Sequence, residues 1–204
     1  MAKRGQTARR DGFRFLRAWA RRPGVTGAVA PSGRALARRM AGFVDPAADG
    51  LVVELGPGTG PVTEALLARG VPASRLVLIE FNPAFAALLR ARFPGVAVIE
   101  GDGYALAATL GPHAAEPVSA VVSSLPLLNR PLHERKALVL QALALLAPGA
   151  PLIQFSYGLA APVKAEPSLF RLDVTPWVFA NIPPARVWTY RRNSADDPVF
   201  PRWV

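Results

Sequence analysis

The chain has 204 residues, 51% of them hydrophobic and 19% charged, which is the composition of a chain that packs a core and excludes an intrinsically disordered one. It contains no cysteine, so disulfides, thiolate metal sites and cysteine nucleophiles are excluded together. The net charge of +10 is localised: residues 1–40 hold 11 Lys or Arg and one acid, Asp11, whereas residues 41–204 hold 13 of each sign.

A basic segment on a neutral body points to an anionic partner, either nucleic acid or an acidic membrane face. Within it, Arg10, Arg14, Arg17 and Arg21 share one helical stripe, with Phe13, Phe15, Leu16, Trp19 and Ala20 spread over the opposite arc. An amphipathic helix is therefore expected before the stop at Pro23-Gly24, and a second over residues 32–43 after Pro31. No apolar run approaches about 18 residues, so neither a membrane span nor a secretory signal is expected and the cytoplasm is the expected compartment. The length fits one domain, and the charge sets off a basic helical extension, 1–45, from the domain itself, 46–204.

From residue 51 the pattern alternates. Short apolar runs, LVVEL, RLVLIE, VAVIE, SAVVSS and PLIQFSY, are separated by helical stretches such as PAFAALLRARF and HERKALVLQALALLA. This predicts a doubly wound, mostly parallel α/β sheet with its ligand beyond the carboxyl ends of the strands. Two further strands are expected over 174–179 and 186–191.

The strongest motif is Glu54-Leu55-Gly56-Pro57-Gly58-Thr59-Gly60, set between a strand and a helix. Its glycines admit a ligand to the backbone, and the helix start offers free N–H groups. A dinucleotide fingerprint would place a third glycine where Pro61 stands, and Glu54 would meet a pyrophosphate. S-adenosylmethionine, which has no phosphate and carries two cationic centres, suits the acid better. Glu80 then closes the next strand, 20 residues after Gly60, placed to accept the ribose hydroxyls with Asn82 assisting. Asp102, between Gly101 and Gly103 after VAVIE, is placed to accept an adenine amino group. Tyr157, at the end of PLIQFSY, is placed to hold an amine, and His133 is a candidate base. His113 and His133 are far apart and without paired acids, so no metal centre is expected.

With these acids and the ELGPGTG loop in place, residues 50–160 resemble the class I methyltransferases, a Rossmann-like fold whose seven-stranded sheet binds S-adenosylmethionine. The resemblance places Ser124 and Leu125, at the end of the fourth strand, beside the cofactor and the methyl acceptor. In related adenine and rRNA enzymes that site carries an aromatic residue for stacking a flipped base, whereas this chain reads Ser123-Ser124-Leu125-Pro126-Leu127-Leu128. Leu127 and Leu128 are expected to make an apolar acceptor site. Together with the basic start and Thr26-Gly27-Ala28-Val29-Ala30-Pro31-Ser32, the loop and SSLPLL resemble the soluble bacterial phospholipid N-methyltransferases over most of the chain. That resemblance implies stepwise methylation of phosphatidylethanolamine towards phosphatidylcholine by a protein held peripherally on the inner membrane face through residues 1–22, with no nucleic-acid partner. It leaves Arg34, Arg130 and Arg171 open as phosphate ligands. The rRNA adenine N6-dimethyltransferases are the alternative reading.

Overall fold

The computed structural model describes residues 33–193. The five apolar runs form the parallel strands β1 (Leu51–Leu55), β2 (Leu76–Glu80), β3 (Ala97–Glu100), β4 (Val118–Ser123) and β5 (Leu152–Ser156). With β6 (Phe170–Val174) and β7 (Arg186–Arg192) they make one seven-stranded sheet, ordered β3-β2-β1-β4-β5-β7-β6. Only β7 runs against its neighbours. The strand order reverses between β1 and β4, and an open α/β sheet leaves its ligand crevice at such a point, outside the carboxyl ends.

Among the described residues five α-helices flank the sheet: α1 (Arg34–Ala41), α2 (Pro61–Ala68), α3 (Pro83–Arg92), α4 (Leu106–Leu110) and α5 (Leu132–Leu145). Pro61 and Pro83 open their helices at a position where a missing N–H costs nothing. Successive strand residues face opposite layers. Val52 and Ile153 pack with Leu36 and Met40 of α1 and Val62 and Leu66 of α2, whereas Val53 and Leu152 pack with Leu106 of α4 and Leu138 of α5. Leu89 of α3 and the adjoining Phe93 cover Leu78.

Two elements differ from the sequence-based expectation. The helix expected over 32–43 is α1, flanked by Gly33 and Gly42. The strand expected over 174–179 is β6, which ends at Val174. Pro176 has no N–H to give to a ladder, so the alternating Phe170–Val174 run pairs with β7 instead and Val178 keeps a single bridge to Ala185. The basic amphipathic helix expected over 1–22, and the segment 26–32, lie outside the described residues. No helix among the described residues is long and apolar enough to cross a membrane.

Candidate active site

The ELGPGTG loop joins β1 to α2 with three glycines at positive φ. At Gly58, φ is +57° and a Cβ would meet nothing within 4 Å, so the backbone faces open space. At Gly60, φ is +86° and a Cβ would collide with the Phe93 ring, so this glycine lets α3 close against the loop. The loop is held from both sides. Glu80 Oε2 accepts from the Gly58 amide at 3.0 Å, and Arg92 donates to the Thr59 carbonyl at 2.5 Å while pairing with Glu64 at 2.7 Å.

The three acids lie along the carboxyl edge in different environments. Glu54 is fully buried, and its Oε2 accepts from the Thr63 hydroxyl of α2 at 2.7 Å. Burial pushes its carboxyl up to about 8, against the Thr63 hydrogen bond and with the negative charge of Glu80 adding to the rise. Its Oε1 is buried without a hydrogen-bond partner. Glu80 is buried at the end of β2, and its second oxygen accepts from the Asn82 amide at 2.9 Å. Asn82 caps α3, its Oδ1 accepting from the Ala84 amide at 2.9 Å. Asp102 is exposed and caps the short turn that follows, accepting from the Tyr104 amide at 2.9 Å. Gly101 ties this turn to β2 through the Glu80 carbonyl, and Gly103 is buried beneath Leu125.

The β4 end completes the crevice. The Ser124 amide donates to the Leu55 carbonyl, fixing the two switch-point strands together. The Leu125 side chain lies against both Gly56 and Gly103, so it spans the glycine loop and the third-strand turn. Of the two leucines expected to line an acceptor site, Leu127 is instead packed in the core and only Leu128 is exposed, against Gly158. The 3-10 turn at Leu127–Asn129 accounts for this, because it sends successive side chains to different sides.

Sequence reasoning missed Gln154. It sits beside Ser123 on β5, buried, with Nε2 donating to the Leu125 carbonyl at 3.1 Å and Oε1 left without a partner. A polar residue inside the apolar run PLIQFSY was the available signal. Tyr157 follows on the same edge, stacked edge-on against Phe155 at 5.4 Å. Its buried hydroxyl lies beside Asn181 without a well-formed hydrogen bond, and burial raises its pKa, with Asn181 opposing. Beyond β4, Arg130 stacks on Tyr104 at 4.6 Å and pairs with Glu134 at 3.2 Å. His133 lies in the exposed first turn of α5 with no hydrogen-bond partner among the described residues. His113 is exposed and pairs with Glu116. Arg171 is on β6, away from the crevice, and Arg34 is exposed on the first turn of α1.

The chain is 34% identical to the ornithine lipid N-methyltransferase of Singulisphaera acidiphila over 142 residues, 68% of this chain and 74% of that protein. It belongs to the class I S-adenosylmethionine-dependent methyltransferases. The methyltransferase is also 41% identical over 95 residues to the ribosomal RNA small subunit methyltransferase A of Methylobacterium radiotolerans, but this match spans only 31% of that protein. Among solved structures, TrmN from Thermus thermophilus aligns with a TM-score of 0.59 at 19% identity, over 78% of this chain and about half, 48%, of the TrmN chain. An rRNA methylase from Streptococcus thermophilus aligns with a TM-score of 0.53 at 16% identity, over 77% of this chain and 95% of that one. At these identities the structures establish the fold alone. No protein-family model matches the chain.

S-adenosylmethionine is the cofactor of this methyltransferase. The residues present fit it: an open backbone at Gly58 and an orphaned, buried Glu54 oxygen lie at the same strand end. Among the described residues no group of His, Asp and Glu is arranged to hold a metal.

Proposed function

We propose that this methyltransferase N-methylates the headgroup amine of a membrane phospholipid, carrying phosphatidylethanolamine stepwise towards phosphatidylcholine on the inner face of the cell membrane. The observation that carries this reading is the match to a lipid N-methyltransferase over most of both chains. The acceptor side agrees with it. The loop after β4 presents the aliphatic Leu128 and no aromatic side chain on which a flipped base would stack.

When bound, the cofactor supplies an electrophilic methyl group on its sulfonium. The glycine loop, Glu54 and Glu80, with Asn82 and Asp102 beside them, are the residues that would hold it. Leu125 would lie between cofactor and acceptor, because it touches both glycine turns. Tyr157 keeps its proton at neutral pH, since burial raises it, so it orients an amine through its hydroxyl and ring face and does not remove a proton. The attacking nitrogen must be neutral, and His133 at the mouth of the crevice is the base this reading assigns. Residues 1–22, with eight Lys or Arg of which Arg10, Arg14, Arg17 and Arg21 share one helical stripe, would hold the protein to anionic lipid at about 1 kcal/mol per basic residue.

The test is transfer of labelled methyl to phosphatidylethanolamine in mixed anionic vesicles, with ornithine lipid and rRNA as parallel acceptors. Label in phosphatidylethanolamine is expected. Label in ornithine lipid alone would correct the headgroup, a second reading that the relative's own substrate favours. Label in RNA alone would overturn the lipid reading. Removal of residues 1–22 should lower vesicle binding and leave cofactor binding intact.

A further inference from the structure

Five large apolar side chains among the described residues are more than half exposed: Phe81 (77%), Leu132 (59%), Leu159 (84%), Phe179 (75%) and Ile182 (89%). They come from four separate connections, after β2, at the start of α5, after β5 and between β6 and β7. Because β6 runs parallel to β5, all four connections emerge at the carboxyl edge of the sheet, around the mouth of the crevice. Scattered apolar side chains need no explanation, but a set confined to one edge marks a contact surface.

The same edge is where the basic segment joins the fold. The Gly33 amide donates to Asn181 Oδ1 at 2.7 Å, and Asn181 lies between Phe179 and Ile182. The described chain therefore begins at the apolar rim, with the exposed Arg34 next to it, and the sequence ahead of Gly33 carries eight Lys or Arg and one acid. Apolar side chains with a basic segment joined beside them complement an anionic lipid surface, where the first enter the headgroup boundary and the second meet the lipid phosphates.

We propose that this carboxyl-edge rim seats directly on an anionic phospholipid bilayer, with Leu159, Phe179 and Ile182 inserted around the crevice mouth so that a headgroup enters without leaving the membrane. This deepens the lipid reading above and rests on it. The rim side chains come from four separate connections and not from one continuous element. A bilayer therefore fits it better than an apolar segment of the same chain does.

The experiment uses the full chain and its Leu159→Ser, Phe179→Ser, Ile182→Ser triple variant, whose changes fall on exposed positions outside the packed core. Sedimentation with vesicles of phosphatidylethanolamine and phosphatidylglycerol is measured beside methyl transfer to those vesicles and to a short-chain phosphatidylethanolamine that stays monomeric. Vesicle binding and vesicle turnover should fall by about tenfold or more in the triple variant, while turnover of the monomeric lipid stays unchanged. Unaltered sedimentation, as expected if residues 1–32 cover the rim, would overturn the proposal. So would equal loss on both lipids, which would place these side chains in the acceptor site, or rRNA binding that weakens in the same variant. A wild-type chain that labels neither lipid would defeat the lipid reading, and the sedimentation arm would still decide the rim.

Discussion

Replacing Glu54 with glutamine should remove a pH dependence from the stability of the cofactor-free protein. In the folded chain the carboxyl is raised to about 8, against 4.5 for the ordinary group. Between those values the folded state binds a proton that the unfolded state has released, so stability falls as pH rises. Each pH unit costs about 1.4 kcal/mol, and from pH 5 to pH 7.5 the loss comes to about 3 kcal/mol. Glutamine should imitate the protonated acid: it keeps an acceptor for the Thr63 hydroxyl and has no charge to bury. Urea unfolding of both proteins at a series of pH values isolates this one group, because all others cancel in the difference. The wild type should approach the variant at pH 5 and fall progressively below it towards pH 8. A difference that stays flat over that range would refute the burial argument. The same titration bears on the cofactor. With the ammonium of S-adenosylmethionine against this carboxylate, the affinity of the wild type should rise with pH up to about 8, and that of the variant should not.

Gly58→Ala should fold with a loss of about 1 kcal/mol from its left-handed backbone, yet weaken cofactor binding by roughly tenfold, because the new methyl points into open space. Gly60→Ala should show the reverse order, losing about 2–3 kcal/mol of stability against the Phe93 ring; calorimetric titration beside thermal unfolding separates the two. Gln154→Leu removes the donor to the Leu125 carbonyl and should lower kcat while cofactor affinity holds, as steady-state kinetics with both substrates would reveal. Tyr157→Phe should change stability by less than about 1 kcal/mol, since its hydroxyl lacks a well-formed bond, and should raise the amine KM without altering the pH profile below 9, a range in which the raised hydroxyl stays neutral.

The sheet was legible in the sequence because its strands are buried on both faces and so read as unbroken apolar runs; Leu51–Leu55 and Leu76–Glu80 are buried throughout. β6 was misplaced because it lies at the sheet edge, where only Phe170 is buried and the apolar signal is weak. Val178 and Phe179 beyond Pro176 gave a stronger run than the strand itself. That Glu54, Glu80 and Asp102 would lie along the carboxyl edge was legible for a local reason: each lies within two residues of the end of an apolar run. The acceptor side was less so. That Leu127 turns inward and Leu128 outward depends on one 3-10 turn, and Asn181 reaches Gly33 across 148 residues of chain.

The two halves of the site are mechanically one object, and this follows from where the hydrogen bonds fall. Leu125 rests by its side chain on the glycine loop of β1 and the turn after β3, while its carbonyl is held by Gln154 of β5. The β4 end is fixed in turn to β1 through the Ser124 amide. A shift of the glycine loop would therefore reach the loop after β4 through a packed leucine, one backbone bond and the side-chain bond from Gln154. Methyl transfer depends on near-attack alignment of donor and acceptor, and on the reading proposed above this edge would supply it from side chains already fixed by the core. On the membrane reading, the apolar rim would then set only the approach of the substrate and leave the geometry of transfer to the sheet. That division of labour separates the expected effects, with rim variants acting on vesicle binding, Gln154→Leu on kcat and Gly58→Ala on cofactor affinity.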